Sequence, residues 1–150
     1  MIDKFIELIN SKIGCGYVFG SQGETMTQER LNVLIKQQGI THYHLANGVK
    51  AEKWLGKQCF DCSGLVLWCL IQLGILPKDT DTTAQGLYNS YCVPITKEQL
   101  KQGDLVFIKG SKGTIGHVGM YNGNAKTVEA YGTAKGVVQG DVGRLIHSVD

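Results

Sequence analysis

The tetrad Asp61-Cys62-Ser63-Gly64 opens onto Leu65-Val66-Leu67-Trp68-Cys69-Leu70-Ile71-Gln72-Leu73. A helix made of that run is apolar all round and has to be buried, so the rest of the chain must be built around it. Cys62 then falls in the helix's first turn, where backbone N–H groups lack partners and the helix dipole favours negative charge. A thiol at such a place is expected to ionise more readily than a free cysteine. A lone cysteine there more often fills space, as Cys69 is expected to do one helical face further on. The residues flanking Cys62 turn the reading from packing towards chemistry.

With 150 residues, 43% of them apolar, the chain suits a single domain with one real core. Gly supplies 20 residues and Pro only 2, so the glycines mark turns and close approaches rather than disorder. The net charge of +2 comes with no long block of Lys or Arg, which argues against a nucleic-acid stripe. Five cysteines at irregular spacing do not read as a disulfide framework, and at least one thiol should be free. Charges interrupt the apolar residues of Met1-Ile-Asp-Lys-Phe-Ile-Glu-Leu-Ile-Asn10, so no secretory signal is read there. No apolar run approaches the ~18 residues of a membrane span.

Ile2, Phe5, Ile6, Ile9 and Ile13 share one face at helical spacing, and Gly14 follows as a stop. Gly14 to Gly20 is a glycine-punctuated extended segment. Thr25 or Thr27 is expected to cap a second helix to about Gln38, with Leu31, Leu34 and Ile35 inward and Gly39 ending it. A polar loop, Thr41 to Gly48, leads to a short helix near Val49 to Leu55. The Cys62 helix should stop at Gly74, and Thr82 or Thr83 should cap a short helix ending near Ser90. Beyond it the period changes. Leu105 to Ile108, Gly116 to Tyr121, Thr127 to Tyr131, Gly136 to Gln139 and Arg144 to Ile146 are short β-rich runs joined by glycine turns, an antiparallel meander. Helices first and sheet second make an α+β domain, with the nucleophile at the start of a buried helix packed on an antiparallel sheet.

A thiolate needs a base. Of the four histidines, His42 and His44 fall in the polar loop and His147 near the end, whereas His117 lies in an expected strand. Asn122-Gly123-Asn124 signals a hairpin, which makes the strands of His117 and Glu129 antiparallel neighbours. Parity decides their faces: an odd loop, such as three residues, puts both on one face, and a two-residue loop puts them on opposite faces. With the odd loop, Glu129 orients His117 and stabilises its imidazolium while His117 takes the proton of Cys62. Taken singly, His117 is an ordinary half-buried strand histidine and Glu129 an ordinary exposed strand residue. The Asp-Cys-Ser-Gly helix start is what joins them.

In these residues the chain resembles the NlpC-type peptidases, papain-like bacterial cysteine endopeptidases that cut peptidoglycan stem peptides. Four segments match in order: Gly16-Tyr17-Val18-Phe19-Gly20, Asp61-Cys62-Ser63-Gly64, Gly103-Asp104-Leu105-Val106-Phe107, and Gly116-His117-Val118-Gly119-Met120-Tyr121 with its following strand. The resemblance implies Cys62 as nucleophile and His117 as general base. It sets Tyr17 beside the nucleophile, for oxyanion stabilisation or substrate binding with the Cys62 N–H as second donor. Asp61 and Ser63 would hold the substrate's free amine, or cap the helix, or both. It further implies cleavage between D-glutamate and the diamino acid of the stem peptide; a monomer without cofactor is expected, acting at the bacterial cell wall, either secreted or delivered by a phage or conjugative element. Two departures stand out. The position orienting the base is most often His in the family and is Glu129 here. The interval from Tyr17 to Asp61 also exceeds the family's compact core, so residues about 21–58 read as a helical insertion standing over the cleft, with Trp54 its aromatic substrate contact.

Other classes compete. Cys59-Phe60-Asp61-Cys62 is also a Cys-x-x-Cys, a redox pair or half a zinc site, which His42 and His44 could join through Cys59. No second Cys-x-x-Cys follows, and a thioredoxin-like site would need a βαβ context. A non-catalytic wall-binding module would keep the fold without the chemistry. An amidase or acyltransferase would keep the chemistry with another acyl group.

Overall fold

The computed structural model describes residues 1–144. Helix α1 (Ile2–Asn10) buries Phe5 and Ile9. It is shorter than the apolar spacing suggests: residues 11–14 form turns, and Ile2 and Ile13 are exposed. Gly14 ends them in the left-handed region, φ +99°. The extended segment after it lies along strand β2 (Gln58–Phe60) through a parallel bridge between Gly16 and Cys59. Strand β1 (Gln22–Thr25) pairs antiparallel with β2. This small sheet is unexpected from the sequence, because Gln-Gly-Glu-Thr has no apolar alternation to announce a strand.

Helix α2 (Gln28–Gln38) starts where Thr27 accepts the Arg30 N–H at 3.1 Å and ends at Gly39. Leu31 and Leu34 face inward, as their spacing requires. The expected helix near Val49 to Leu55 is a single 3-10 turn, Ala51–Trp54. Helix α3 (Cys62–Gln72) carries the organising apolar run and buries Leu65, Val66, Leu67 and Cys69. Helix α4 (Ala84–Tyr91) is capped by Thr83, which accepts the Gly86 N–H.

Strands β3 (Leu105–Lys109), β4 (Ile115–Gly123), β5 (Lys126–Gly132) and β6 (Gly136–Asp141) form one antiparallel sheet in sequence order, the expected meander. Val118, Met120, Val128, Ala130 and Val137 alternate along these strands and pack with α3, Phe5 and Ile9 in the main core. A second, smaller core gathers Val18, Met26, Leu31, Leu34, Tyr43, Ala51, Trp54 and Cys59. Of the strand expected from Arg144 to Ile146, Arg144 ends a 3-10 turn, Val142–Arg144. Leu145, Ile146 and His147 lie outside the described residues. Among the described residues no helix is long and apolar enough to cross a membrane.

The hairpin that sets the faces of His117 and Glu129 differs from the three-residue loop expected. Its turn has two residues, Asn124 and Ala125, both left-handed at φ +53° and +61°, the signature of a type I′ turn. A register shift between Tyr121 and Gly123 inserts Asn122 as a bulge. Two turn residues alone would separate His117 and Glu129 onto opposite faces, and the bulge restores the odd parity.

Candidate active site

Asp61 builds the N-terminus of α3 from its side chain. Its Oδ1 accepts the Gly64 N–H at 2.7 Å, and its Oδ2 accepts the Gly20 N–H at 3.0 Å. One carboxylate therefore caps the helix of Cys62 and ties down the loop after Tyr17. The Ser63 hydroxyl donates to Asp61 at 3.4 Å, and Ser63 is buried. Gly64 is required here, because a Cβ would strike the Ser21 carbonyl and Asp61 Oδ1.

Cys62 stands at the first position of α3, directly against β4. Its thiol lies 4.0 Å from the Gly116 carbonyl oxygen, and the Val118 N–H also points at the sulfur. The sulfur thus contacts the strand backbone on both sides of His117. The β4–β5 pairing runs only to Met120 and Val128, so His117 and Glu129 lie just past its last pair. There His117 Nε2 and Glu129 Oε1 meet at 2.8 Å. Glu129 is fully buried and the His117 side chain is 15% exposed. An ionised Glu129 can only accept, which would assign the shared proton to Nε2 of His117.

The helix terminus does not by itself activate the thiol, contrary to the expectation from the sequence. Burial pushes the Cys62 thiol up to about 11, and the Asp61 carboxylate beside it adds to the rise. The N–H groups of Val118, Ser63 and Cys62 pull the other way and offset only part of it. A thiolate in this position needs a cation close by. Tyr17 is near both Cys62 and Asp61, and burial followed by those two neighbours holds its phenol well above its ordinary range. It is a neutral hydrogen-bond donor beside the sulfur. Asp61 is itself raised by burial, against the N–H groups of Gly64 and Gly20.

Trp54 does not line the cleft. It is 9% exposed, its indole N–H donates to the Thr133 carbonyl at 2.7 Å, and it belongs to the second core. In the same region, His42 stacks on Phe19 with ring centroids 4.1 Å apart, and the Tyr43 hydroxyl donates to the Phe19 carbonyl at 2.8 Å. The groups of the zinc reading have other occupations. His44 bonds Glu52 at 3.0 Å, and the Cys59 thiol faces the Trp54 and Lys57 carbonyls. Among the described residues no three His, Cys, Asp or Glu gather as metal ligands. All five cysteines are free thiols.

Thr127 and Gly140 are site residues the sequence did not single out. The buried Thr127 hydroxyl donates to Glu129 Oε2 at 2.5 Å, and Gly140 pairs with Thr127 across β5 and β6. The i, i+2 spacing of Thr127 and Glu129 on one strand face was the available signal.

A helix-terminal cysteine laid against a strand histidine that a buried carboxylate holds defines a class of α+β domain, one with a cysteine–histidine–carboxylate site. Within it, the chain belongs to the NlpC/P60 family, whose sequence model matches residues 33–146. It is 35% identical over 112 residues to the murein DD-endopeptidase MepH of Escherichia coli, covering 69% of this chain and 36% of that protein. It is 43% identical over 70 residues to the bifunctional muramidase/DL-endopeptidase CwlT of Bacillus subtilis, covering 45% of this chain and 20% of that one. The chain thus spans about a third or less of the length of these curated relatives. Among solved structures, the P60 domain of an antigen from Mycobacterium avium subspecies paratuberculosis superposes with a TM-score of 0.63 at 25% identity, covering 94% of this chain and 85% of that one. The peptidoglycan hydrolase RipB of Mycobacterium tuberculosis shares the fold, with a TM-score of 0.62 at 23% identity over 94% of this chain and 58% of that one.

Proposed function

We propose that this chain is a cysteine endopeptidase of peptidoglycan stem peptides, acting at the bacterial cell wall as a monomer, with Cys62, His117 and Glu129 as its reacting and orienting groups. The observation that carries the proposal is the Cys62 sulfur seated against β4 beside His117, whose Nε2 is 2.8 Å from buried Glu129. In this reading the Cys62 proton passes to Nδ1 of His117, and Glu129 stabilises the imidazolium. The thiolate attacks the scissile carbonyl carbon. The Cys62 N–H and the neutral Tyr17 phenol receive the developing oxyanion. As the tetrahedral intermediate collapses, His117 gives its proton to the leaving amine and an acyl-thioester remains on Cys62. Water, deprotonated by His117, then attacks the thioester, and the carboxylate product leaves as the thiol is regenerated.

The cleaved bond is proposed to join D-glutamate to the diamino acid. Asp61 and Ser63 would receive the free amine of the stem peptide in addition to capping α3. Residues 1–150 form one domain in this proposal, with about 21–58 inserted.

The test is digestion of purified muropeptides with product masses read by mass spectrometry. Cys62→Ala and His117→Ala should each abolish turnover in a folded protein. Products cut at D-glutamate support the bond proposed. Products cut at a D,D cross-link would move the activity to that named for MepH. Turnover that survives Cys62→Ala would end the cysteine-peptidase reading.

A further inference from the structure

Glu129 is fully buried, and its two carboxylate oxygens have different tasks. Oε1 meets His117, while Oε2 accepts the hydroxyl of Thr127, itself fully buried. A buried carboxylate with too few donors would take up a proton. It would then no longer favour an imidazolium. The Thr127 hydroxyl opposes this, because a hydrogen bond to the charged form favours that form. It also sets the roll of the carboxylate, and therefore the direction from which Oε1 meets the ring. The neighbouring strand leaves room for the arrangement only because position 140 is glycine. A Cβ there would lie 2.8 Å from Glu129 Oε2 and 2.9 Å from Thr127 Oγ1. Thr127 faces Gly140, and Glu129 faces Val138, in the β5–β6 ladder.

We infer that Thr127 is a positioning residue for the Cys62–His117 pair: its hydroxyl, in the space left by Gly140, keeps Glu129 ionised and aimed at His117. The inference rests on the peptidase reading for its effect on turnover, but it concerns the ion pair, which is measurable without substrate. The test is the rate of Cys62 alkylation by iodoacetamide as a function of pH, followed by peptide mass because Cys15 and Cys92 are also partly accessible. Thr127→Val keeps the shape and removes the donor. It should slow Cys62 alkylation at neutral pH, where thiolate is present only as the ion pair, and by less than Glu129→Gln does. On muropeptides it should lower kcat about five- to tenfold with KM changed less than about twofold. Thr127→Ser should restore both. Gly140→Ala keeps the hydroxyl but crowds the carboxylate, and should likewise slow Cys62 alkylation at neutral pH. It carries the test alone if Thr127→Val does not fold.

A folded Thr127→Val protein with the wild-type alkylation profile overturns the inference, even if its Tm falls. A wild-type protein that alkylates as expected but cleaves no muropeptide overturns the peptidase reading instead, and the alkylation arms still decide the role of Thr127.

Discussion

A thiol pushed up to about 11 by burial is largely protonated at neutral pH, so reactivity at Cys62 depends on what His117 can hold. The carboxylate of Glu129, 2.8 Å from Nε2, favours the charged ring. The thiolate–imidazolium pair exists between the two apparent pKa values of the coupled dyad. A group that favours imidazolium raises the upper of them and extends activity to the alkaline side. Glu129→Gln removes that charge, and the alkaline limb of the pH–rate profile should fall to lower pH. Glu129→Ala should cost more in kcat than in KM, by roughly a hundredfold or more in kcat, because the bond supports reacting geometry rather than binding. An unchanged profile with near wild-type kcat in Glu129→Gln would leave Glu129 a decoration of β5. The meeting of Cys62, His117 and Glu129 was legible from the Asp-Cys-Ser-Gly helix start and from the hairpin signal of residues 122–124, which makes the strands of His117 and Glu129 neighbours. Thr127 and Gly140 were not legible, because their meeting is a cross-strand pairing that a sequence does not index. The thiol was misjudged for a related reason: the helix terminus is written locally, and the burial that outweighs it comes from the whole fold.

At the scale of elements, the start of α3 is fixed by Asp61 and Gly64 together. Alanine is ordinarily the better helix former by up to about 1 kcal/mol. At position 64, however, its Cβ would press on the Ser21 carbonyl and on Asp61 Oδ1. Backbone yields less easily than a flexible side chain, so the clash should win. Gly64→Ala is expected to destabilise by about 1 to 3 kcal/mol in urea unfolding. It should also lower kcat, since Cys62 precedes Gly64 by only two residues. A neutral or stabilising Gly64→Ala would mean that this approach is looser than drawn. Each cap was narrowed to two threonines, of which Thr27 and Thr83 serve, and the ends at Gly39 and Gly74 were readable from the glycines. The β4–β5 turn was readable only in part. Its glycine and asparagines announce a hairpin, but the bulge at Asn122 depends on the pairing partner. Strand β1 was invisible, since its polar residues become a strand only by pairing with β2.

Across the whole molecule, two cores meet beneath the loop that carries Tyr17. The main core joins α3 to the sheet, and the second is assembled from Val18 and residues of the region between Ser21 and Cys59. The apolar spacing of α3 and the meander announced the first. Of the second, only Leu31 and Leu34 were read as inward; its other members come from loops, a 3-10 turn and strand β2, with no shared period. Trp54 ties it to the sheet. Its indole N–H reaches the Thr133 carbonyl between β5 and β6, and its ring lies against Gly136 and Gly16. Gly16 precedes Tyr17, so this packing supports the nucleophile's neighbour from below rather than touching substrate. Trp54→Ala removes a large buried ring and should cost about 3 to 5 kcal/mol of stability. The loss is to be read as a lower urea midpoint at unchanged slope. Assayed at low temperature, where the variant remains folded, its KM should stay near the wild-type value. A substrate-contacting tryptophan would give the reverse pattern, a raised KM with little change in the midpoint, and that result would return residue 54 to the cleft.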